Sequence, residues 1–388
     1  MPDRPLRILV IADGRSIHTL RFARRLVDRG HEVHIVSDRV GSTDRLAAGI
    51  HFHDVRTLDL LTRVRGLRRR WFGRAIANLA ARIDADVVHG HGIGPYAYWA
   101  AQSGVHPLVV SPWGRDVLLD AHHEPGRTRS RIALEAADWL VVNSAAIEQA
   151  AIEAGADRAR ISHVIWHTQL SGFAPDRGDP VALRRGLDLP ADSVIVMSLR
   201  NFQARTNIDV LVRAFDAVRR AIPQARLVLA ARGGAEREPV ERAVRELGLE
   251  DLVRFHRVEP EQLPVLVASG DVVVTIADTD SSPSSLLEAM ASGRPIVGGW
   301  CPSIDEWIRP GEGAEMVECR DVDAVAAALI KLLGDPDLRR AYGDRNTAVV
   351  AERVAESGPA LELIYRELIA GRTPPPSRLF DAPATAAT

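Results

Sequence analysis

The chain has 388 residues, 46% of them hydrophobic, a formal net charge of −2 and a sequence pI near 6.7. That is enough apolar material for two ordinary domains, and it lacks the basic excess that a nucleic-acid-binding face requires. Cys301 and Cys319 are the only cysteines and have no metal-ligand spacing, which argues against a zinc centre and makes a reducing cytoplasm the expected location. No run approaches a membrane span, and the charged residues 1–7 lead straight into a strand, so a soluble protein is expected. Lys331 is the single lysine, so any side-chain cation that holds phosphate should be an arginine.

The apolar run RILVIA at 7–12 predicts a buried strand, followed by a Gly-containing turn at 13–18, an amphipathic helix over 19–29 and a strand over 32–37. This βαβ opening predicts a parallel sheet covered by helices, but it lacks GxGxxG, so a dinucleotide fingerprint is not supported. The basic segment 63–74 (RVRGLRRRWFGR) could lie on an anionic membrane, although Gly66 and Gly73 weaken any amphipathic face and a solvated helix is the simpler reading. DVVHGH at 86–91 predicts a strand whose carboxyl end presents His91 to a cleft. His89 and His91 also have a metal spacing, which is discounted for want of a third ligand. After the strand at 107–111 comes Trp113, which offers a flat stacking wall and one N–H donor and cannot exchange a proton. Strands at 139–144 and 161–166 complete a first sheet, and the Gly-, Pro- and Asp-rich segment 171–190 is expected to be a linker.

A second series begins with a strand at 194–199, whose following turn carries Arg200 and Arg205. A helix at 208–221 and a strand at 226–231 precede Arg232, Gly233 and Gly234, glycines that would let the backbone approach a ligand closely. A strand at 252–256 leads to Arg257 and Val258. The most informative stretch is 271–300, DVVVTIADTDSSPSSLLEAMASGRPIVGGW. It predicts a buried strand at 272–277, a polar turn with Asp280 and Ser281, a helix capped by Ser284 or Ser285 that stops at Gly293, and a further strand. The helix start, at Ser284, Ser285 and Leu286, offers free N–H groups and a positive dipole end to an anion. Asp280 and Glu288 flank that point, and carboxylates accept hydrogen bonds only, so they suit sugar hydroxyls while the amides take phosphate. The combination describes a nucleotide-sugar. Helices are expected over 324–333 and over 351–370, with a break at Gly358 and Pro359, and 373–388 reads as a disordered tail.

The spacing of Asp280 and Glu288, the following LLEAMASGRPIV and the pair Arg200 and Arg205 together resemble the retaining glycosyltransferases of family 4, with Asp280 in place of the usual glutamate and Arg205 in place of the usual lysine. The resemblance implies an α/β protein of GT-B type, two Rossmann-like doubly wound domains facing a central cleft. An acceptor-binding domain over 1–170, with a closing helix at 359–370 packed back on it, would precede a nucleotide-sugar domain over 191–350. It implies a retaining, metal-independent transfer of a sugar from a nucleotide-diphosphate donor, without a cofactor, to an acceptor; the absence of a convincing membrane anchor in the sequence leans toward a small soluble one. Arg200, Arg205 and Asp280 would be catalytic. Gly14, Gly233, Arg257, Val258, Ser281, Ser284, Ser285, Leu286 and Glu288 would join them in holding the donor. Ser16, His18, His91, Trp113 and Asp116 would face the acceptor. Where the family commonly has a histidine beside the reacting centre, this chain has Trp113, and residues 166–169 (WHTQ) replace its Trp-Gly-Val-Asp. A lipid acceptor, a nucleotide-sugar 2-epimerase and a catalytically silent nucleotide-sugar binder are the rival readings.

Overall fold

The computed structural model describes residues 4–39, 48–58, 68–166, 170–231, 233–355 and 357–379. The chain divides into two compact units, Met1–Gln169 with Val354–Thr388, and Leu170–Arg353. The basic stretch 63–67, residues 167–169, Arg232 and the tail 380–388 lie outside the described residues.

Unit 1 holds β1 (Arg7–Ile11), β2 (Glu32–Ser37), β3 (Ile50–Asp54), β4 (Val87–His91), β5 (Leu108–Ser111), β6 (Trp139–Val142) and β7 (Ile161–His163). They form one parallel sheet in the order β3-β2-β1-β4-β5-β6-β7. Unit 2 holds β8 (Val194–Ser198), β9 (Ala225–Ala230), β10 (Val253–His256), β11 (Val272–Thr275), β12 (Ile296–Gly299) and β13 (Ala314–Val317). Its parallel order is β10-β9-β8-β11-β12-β13. Strands covered on both faces are apolar throughout rather than alternating, which is why runs such as Val194–Ser198 and Val272–Thr275 were recognisable. In each sheet the order reverses at the centre, between β1 and β4 and between β8 and β11. Loops after the carboxyl ends of such strands border the crevice where ligands of doubly wound sheets bind. In unit 2 those loops carry Arg200–Arg205 and Asp278–Pro283.

Three expectations need correction. The segment 171–190 is not a free linker, because it contains the helix Pro180–Gly186, N-capped by Asp179, and belongs to unit 2. The expected break lies earlier than Gly358 and Pro359, between the helices Pro336–Val354 and Ser357–Ile369; those two residues occupy the first turn of the second helix, where proline's missing N–H is tolerated. Within the predicted tail, the Ser377 carbonyl accepts from the His163 N–H at 2.8 Å and its hydroxyl donates back to the His163 carbonyl at 2.9 Å. Ser377 therefore pairs with the last residue of β7, at an edge that would otherwise present unpaired backbone.

The helix Ser357–Ile369 completes the core of unit 1. Leu361, Ile364 and Tyr365 pack with Phe22, Trp139 and Trp166. Arg29 donates to the Glu362 carboxylate at 2.6 Å, and the Ile165 N–H donates to Ser357 Oγ at 3.2 Å. Among the described residues no helix is long and apolar enough to cross a membrane.

Candidate active site

The β8 and β11 loops of unit 2 meet through their backbones. The Asp278 N–H donates to the Arg205 carbonyl at 2.9 Å, and the Asn207 side-chain amide donates to the Ile276 carbonyl at 2.9 Å and the Asp278 carboxylate at 2.7 Å. Asn207 has φ +51°, a left-handed conformation that asparagine tolerates better than most residues. The Arg320 guanidinium, 2.7 Å from Asp278, holds that carboxyl below its usual range. Sequence reasoning missed Asn207 and Asp278; an asparagine at the entry to a helix was the available signal.

On this frame the two arginines converge. Arg200 pairs with the Asp280 carboxylate and donates to Ser285 Oγ at 3.2 Å, both charged side chains being largely buried. Arg205 donates to the Thr279 carbonyl at 3.0 Å and lies 3.8 Å from the same Asp280 carboxylate, with 43% of its side chain exposed. Two cations thus share one carboxylate.

The helix that follows is Ser284–Ala291, with Leu286–Ala291 all buried. Neither serine caps it as expected. Pro283 is the N-cap, fixing the entry by its own φ, while Ser285 serves Arg200 and buried Ser284 Oγ has no hydrogen-bond partner among the described residues. The first amide groups of the helix are consequently not taken up by a side-chain cap. Glu288 is 3% exposed in the same helix. The loop is held from behind. Ser303 Oγ donates to the Asp280 carbonyl at 2.6 Å, Trp307 Nε1 donates to Ser282 Oγ at 3.0 Å, and the Ser281 N–H donates to the Asp280 carboxylate at 2.8 Å.

The glycines after β9 lie against the chain's own β8 loop. A Cβ on Gly234 would lie 1.9 Å from the Phe202 carbonyl oxygen, so glycine is required there by the chain's own β8 loop. Gly233, at φ +153°, accepts from the Phe202 N–H at 3.0 Å. Beside them Arg237 covers the rings of Phe202 and Phe255, at 5.9 and 5.5 Å, an aromatic–cation cluster that the sequence did not single out. Val258 is buried, and the exposed Arg257 lies 4.0 Å from Glu259.

In unit 1 the corresponding loops gather an aromatic cluster. His18 meets Trp113 edge-on with ring centroids 6.1 Å apart, and His91 lies 5.7 Å from Trp113 and 4.8 Å from Trp166. Trp166 is a further member that sequence reasoning left at the end of a strand. His91 is 2% exposed, and neither ring nitrogen has a hydrogen-bond partner among the described residues. Burial pushes its imidazole down to about 3, so it stays neutral at ordinary pH. His89 does not share a metal with it; its nitrogens meet Tyr365 Oη at 2.5 Å and Ser111 Oγ at 2.7 Å.

The remaining unit 1 positions do structural work. Asp116 accepts from the backbone N–H groups of Ile93 at 2.6 Å and Trp113 at 2.9 Å, tying two loops together. Burial raises its carboxyl, against those hydrogen bonds. Ser16 is the N-cap of the helix Ile17–Asp28 and accepts from the His18 N–H at 3.2 Å. A Cβ on Gly14 would fall 2.0 Å from the Phe52 ring, so glycine is needed there for packing.

The family model described as Glycosyl transferases group 1 matches residues 182–349, and the one described as Glycosyl transferase 4-like matches residues 7–144. The chain belongs to the family 4 glycosyltransferases. As a member of that family it resembles N-acetyl-alpha-D-glucosaminyl L-malate synthase of Bacillus anthracis, 24% identical over 88% of this chain and 90% of the relative. It also resembles a D-inositol 3-phosphate glycosyltransferase of Thermomonospora curvata, 29% identical over 84% of each chain. Among solved structures, sucrose-phosphate synthase from Thermosynechococcus elongatus superposes with a TM-score of 0.78 at 22% identity, covering 95% of this glycosyltransferase and all of that chain. The fold is GT-B, with two Rossmann-like units, and the protein is a nucleotide-sugar glycosyltransferase.

Proposed function

We propose that this glycosyltransferase moves a sugar from a nucleotide-diphosphate sugar to a small polar acceptor, with retention of the anomeric configuration and without a metal ion. The observation that carries the reading is the convergence of Arg200 and Arg205 on Asp280 beside the start of the helix Ser284–Ala291. In this reading unit 2 holds the donor. The diphosphate takes the two guanidinium groups and the first helix amides, which supply the positive charge that a divalent cation would otherwise provide. Asp280 and Glu288 then accept hydroxyl protons of the sugars.

As the bond from the anomeric carbon to the phosphate oxygen breaks, negative charge collects on the leaving diphosphate, and Arg200 and Arg205 stabilise it there, an electrostatic contribution that is usually large in such transfers. The acceptor oxygen bonds to the same face of the anomeric carbon, and its proton passes to an oxygen of the leaving phosphate. Trp113 has no basic nitrogen, and burial makes the His91 imidazole too weak a base to take a proton readily, with its pKa pushed down to about 3, which fits a reaction without a protein general base.

Unit 1 holds the acceptor against Trp113 and His18. The relatives named for malate and for inositol 3-phosphate support a small polar acceptor. The test is turnover of nucleotide-diphosphate sugars with a panel of small hydroxyl acceptors, the anomeric configuration of the product being read by NMR. Retained configuration, with activity unaltered by a chelator, is expected. An inverted product overturns the mechanism. Epimerisation of donor incubated alone would establish an epimerase instead; tight donor binding with product only from lipid acceptors would overturn the small acceptor, and no product from either class would establish a silent binder.

A further inference from the structure

A second cluster lies away from these loops, toward the amino ends of β2 and β3 at the edge of the unit 1 sheet. Because residues two apart on a strand share a face, Glu32 and His34 project together from β2. His51 and His53 do the same from β3, and the parallel register sets His34 opposite His51 and Val36 opposite His53. The rings of His34 and His51 stack, with centroids 4.7 Å apart and planes at 22°. Glu32 Oε1 lies 3.0 Å from His34 Nε2 and 3.4 Å from His51 Nε2, and the three ligand atoms all fall within 4.8 Å of one another. Among the described residues this is the one such group of three or more His, Cys, Asp or Glu side chains.

We propose that Glu32, His34 and His51 bind a divalent first-row transition metal ion of the zinc type. Donor atoms held at about 2.0–2.1 Å around a tetrahedral ion stand about 3.3 Å apart, and the two Glu32 distances bracket that separation. Two imidazoles and one carboxylate suit zinc, nickel or copper and suit magnesium poorly. A ligating histidine ordinarily has its other nitrogen held by a neighbour, and His34 Nδ1 is held by His53 Nε2 at 2.9 Å. His53 is thus a positioning residue.

Without an ion, a proton on His53 Nε2 serves His34 Nδ1, and a proton on His34 Nε2 serves Glu32. With an ion, both rings shift to the other neutral tautomer: His34 Nδ1–H donates to His53, and His34 Nε2 turns its lone pair to the metal. The His34–His53 hydrogen bond persists in either state, and neither imidazole loses a proton. His34 is buried while His51 and Glu32 are about half exposed, so the ion would enter from solvent and keep an outward coordination position. It would fasten β2 to the edge strand β3.

The test uses the purified full chain, freed of metal by chelation and titrated with Zn²⁺ against a chromophoric competitor, with Mg²⁺ as a parallel titrant. One equivalent of Zn²⁺ should bind and raise Tm, with no response to Mg²⁺. His51→Ala and Glu32→Gln, at half-exposed positions, should each weaken Zn²⁺ at least about tenfold and abolish the rise in Tm. His53→Phe should also weaken it, by about 10–100-fold. His122→Ala, at an exposed histidine elsewhere in unit 1, should change nothing. Failure to bind one equivalent of Zn²⁺, or binding that His51→Ala and Glu32→Gln leave intact, overturns the proposal. Neither outcome bears on the glycosyl-transfer reading.

Discussion

The loops at the carboxyl ends of the two central sheets have parallel topology and opposite chemistry. In unit 2, between β8 and β11, the side chains are charged, partly exposed and mutually paired: Arg200, Arg205, Asp280 and, behind them, Asp278 with Arg320. In unit 1, after β1, β4, β5 and β7, they are aromatic and closely packed: His18, His91, Trp113 and Trp166. On the proposed reading the unit 2 loop meets a diphosphate, whose fixed charge and geometry restrict that loop to a few residue types. An acceptor differs from one enzyme to the next, and its loops are free to diverge.

That contrast is broken most directly at Arg200. Arg200→Ala removes both the Asp280 pair and the Ser285 hydrogen bond, and at about 1.5–3 kcal/mol per charge-assisted bond it should lower kcat/KM for the donor about 100-fold, measured by nucleotide release. Arg205→Ala and Glu288→Gln should each lower donor affinity or turnover about tenfold, one charge-assisted bond being lost in each. Unchanged kinetics in both would remove the donor assignment altogether. Trp113→Ala should raise the acceptor KM about 3–10-fold, the loss of one aromatic stacking contact, and leave donor binding unaltered as read by calorimetry. An equal effect on the donor would erase the division of labour between the units.

The smallest effect concerns stability, and it separates packing from catalysis. Burial would raise the Glu362 carboxyl, but hydrogen bonds from Arg29 and Arg366 outweigh it and bring the group from 4.5 to about 2. A carboxyl depressed by folding stabilises the folded state above its ordinary value, and that contribution is lost as pH falls from about 4.5 toward 2. Glu362→Gln should therefore lower the Tm of unit 1 by a few degrees at pH 7, and the gap to the parent should close on acidification through that window. Transfer activity at pH 7 should not change, because Glu362 belongs to the docking of the helix Ser357–Ile369.

Much of this was visible in the chain as written. The apolar runs that became β1, β8 and β11 lie in fully covered parallel sheets, where both faces demand β-branched residues and the signal is continuous. Arg200, Arg205 and Asp280 were legible because their spacing along single strand–loop–helix units carries over directly into space. Asn207, Asp278 and Trp166 were not, since each matters through a contact to a loop distant in sequence. The caps at Ser284 and Ser285 were misread for a related reason: local propensity favours serine as a cap, but Pro283 already fixes the turn and Arg200 claims Ser285. The histidines followed the same pattern. His89 and His91 have a metal spacing yet are separated in role by Tyr365, 276 positions away from His89, whereas His34 and His51 acquire one only when β2 and β3 pair.

By itself the sequence determined the class of protein, its two βα series and the charged loop residues proposed to meet a diphosphate, because strand burial and loop chemistry are written in consecutive residues. The tertiary structure decided which groups meet: that two arginines share Asp280, that Asp116 and Gly234 serve the chain's own backbone, and that Glu32, His34 and His51 converge. Those outcomes depend on which strands become neighbours, and strand order in a parallel sheet is set by crossover packing that no local stretch of residues contains.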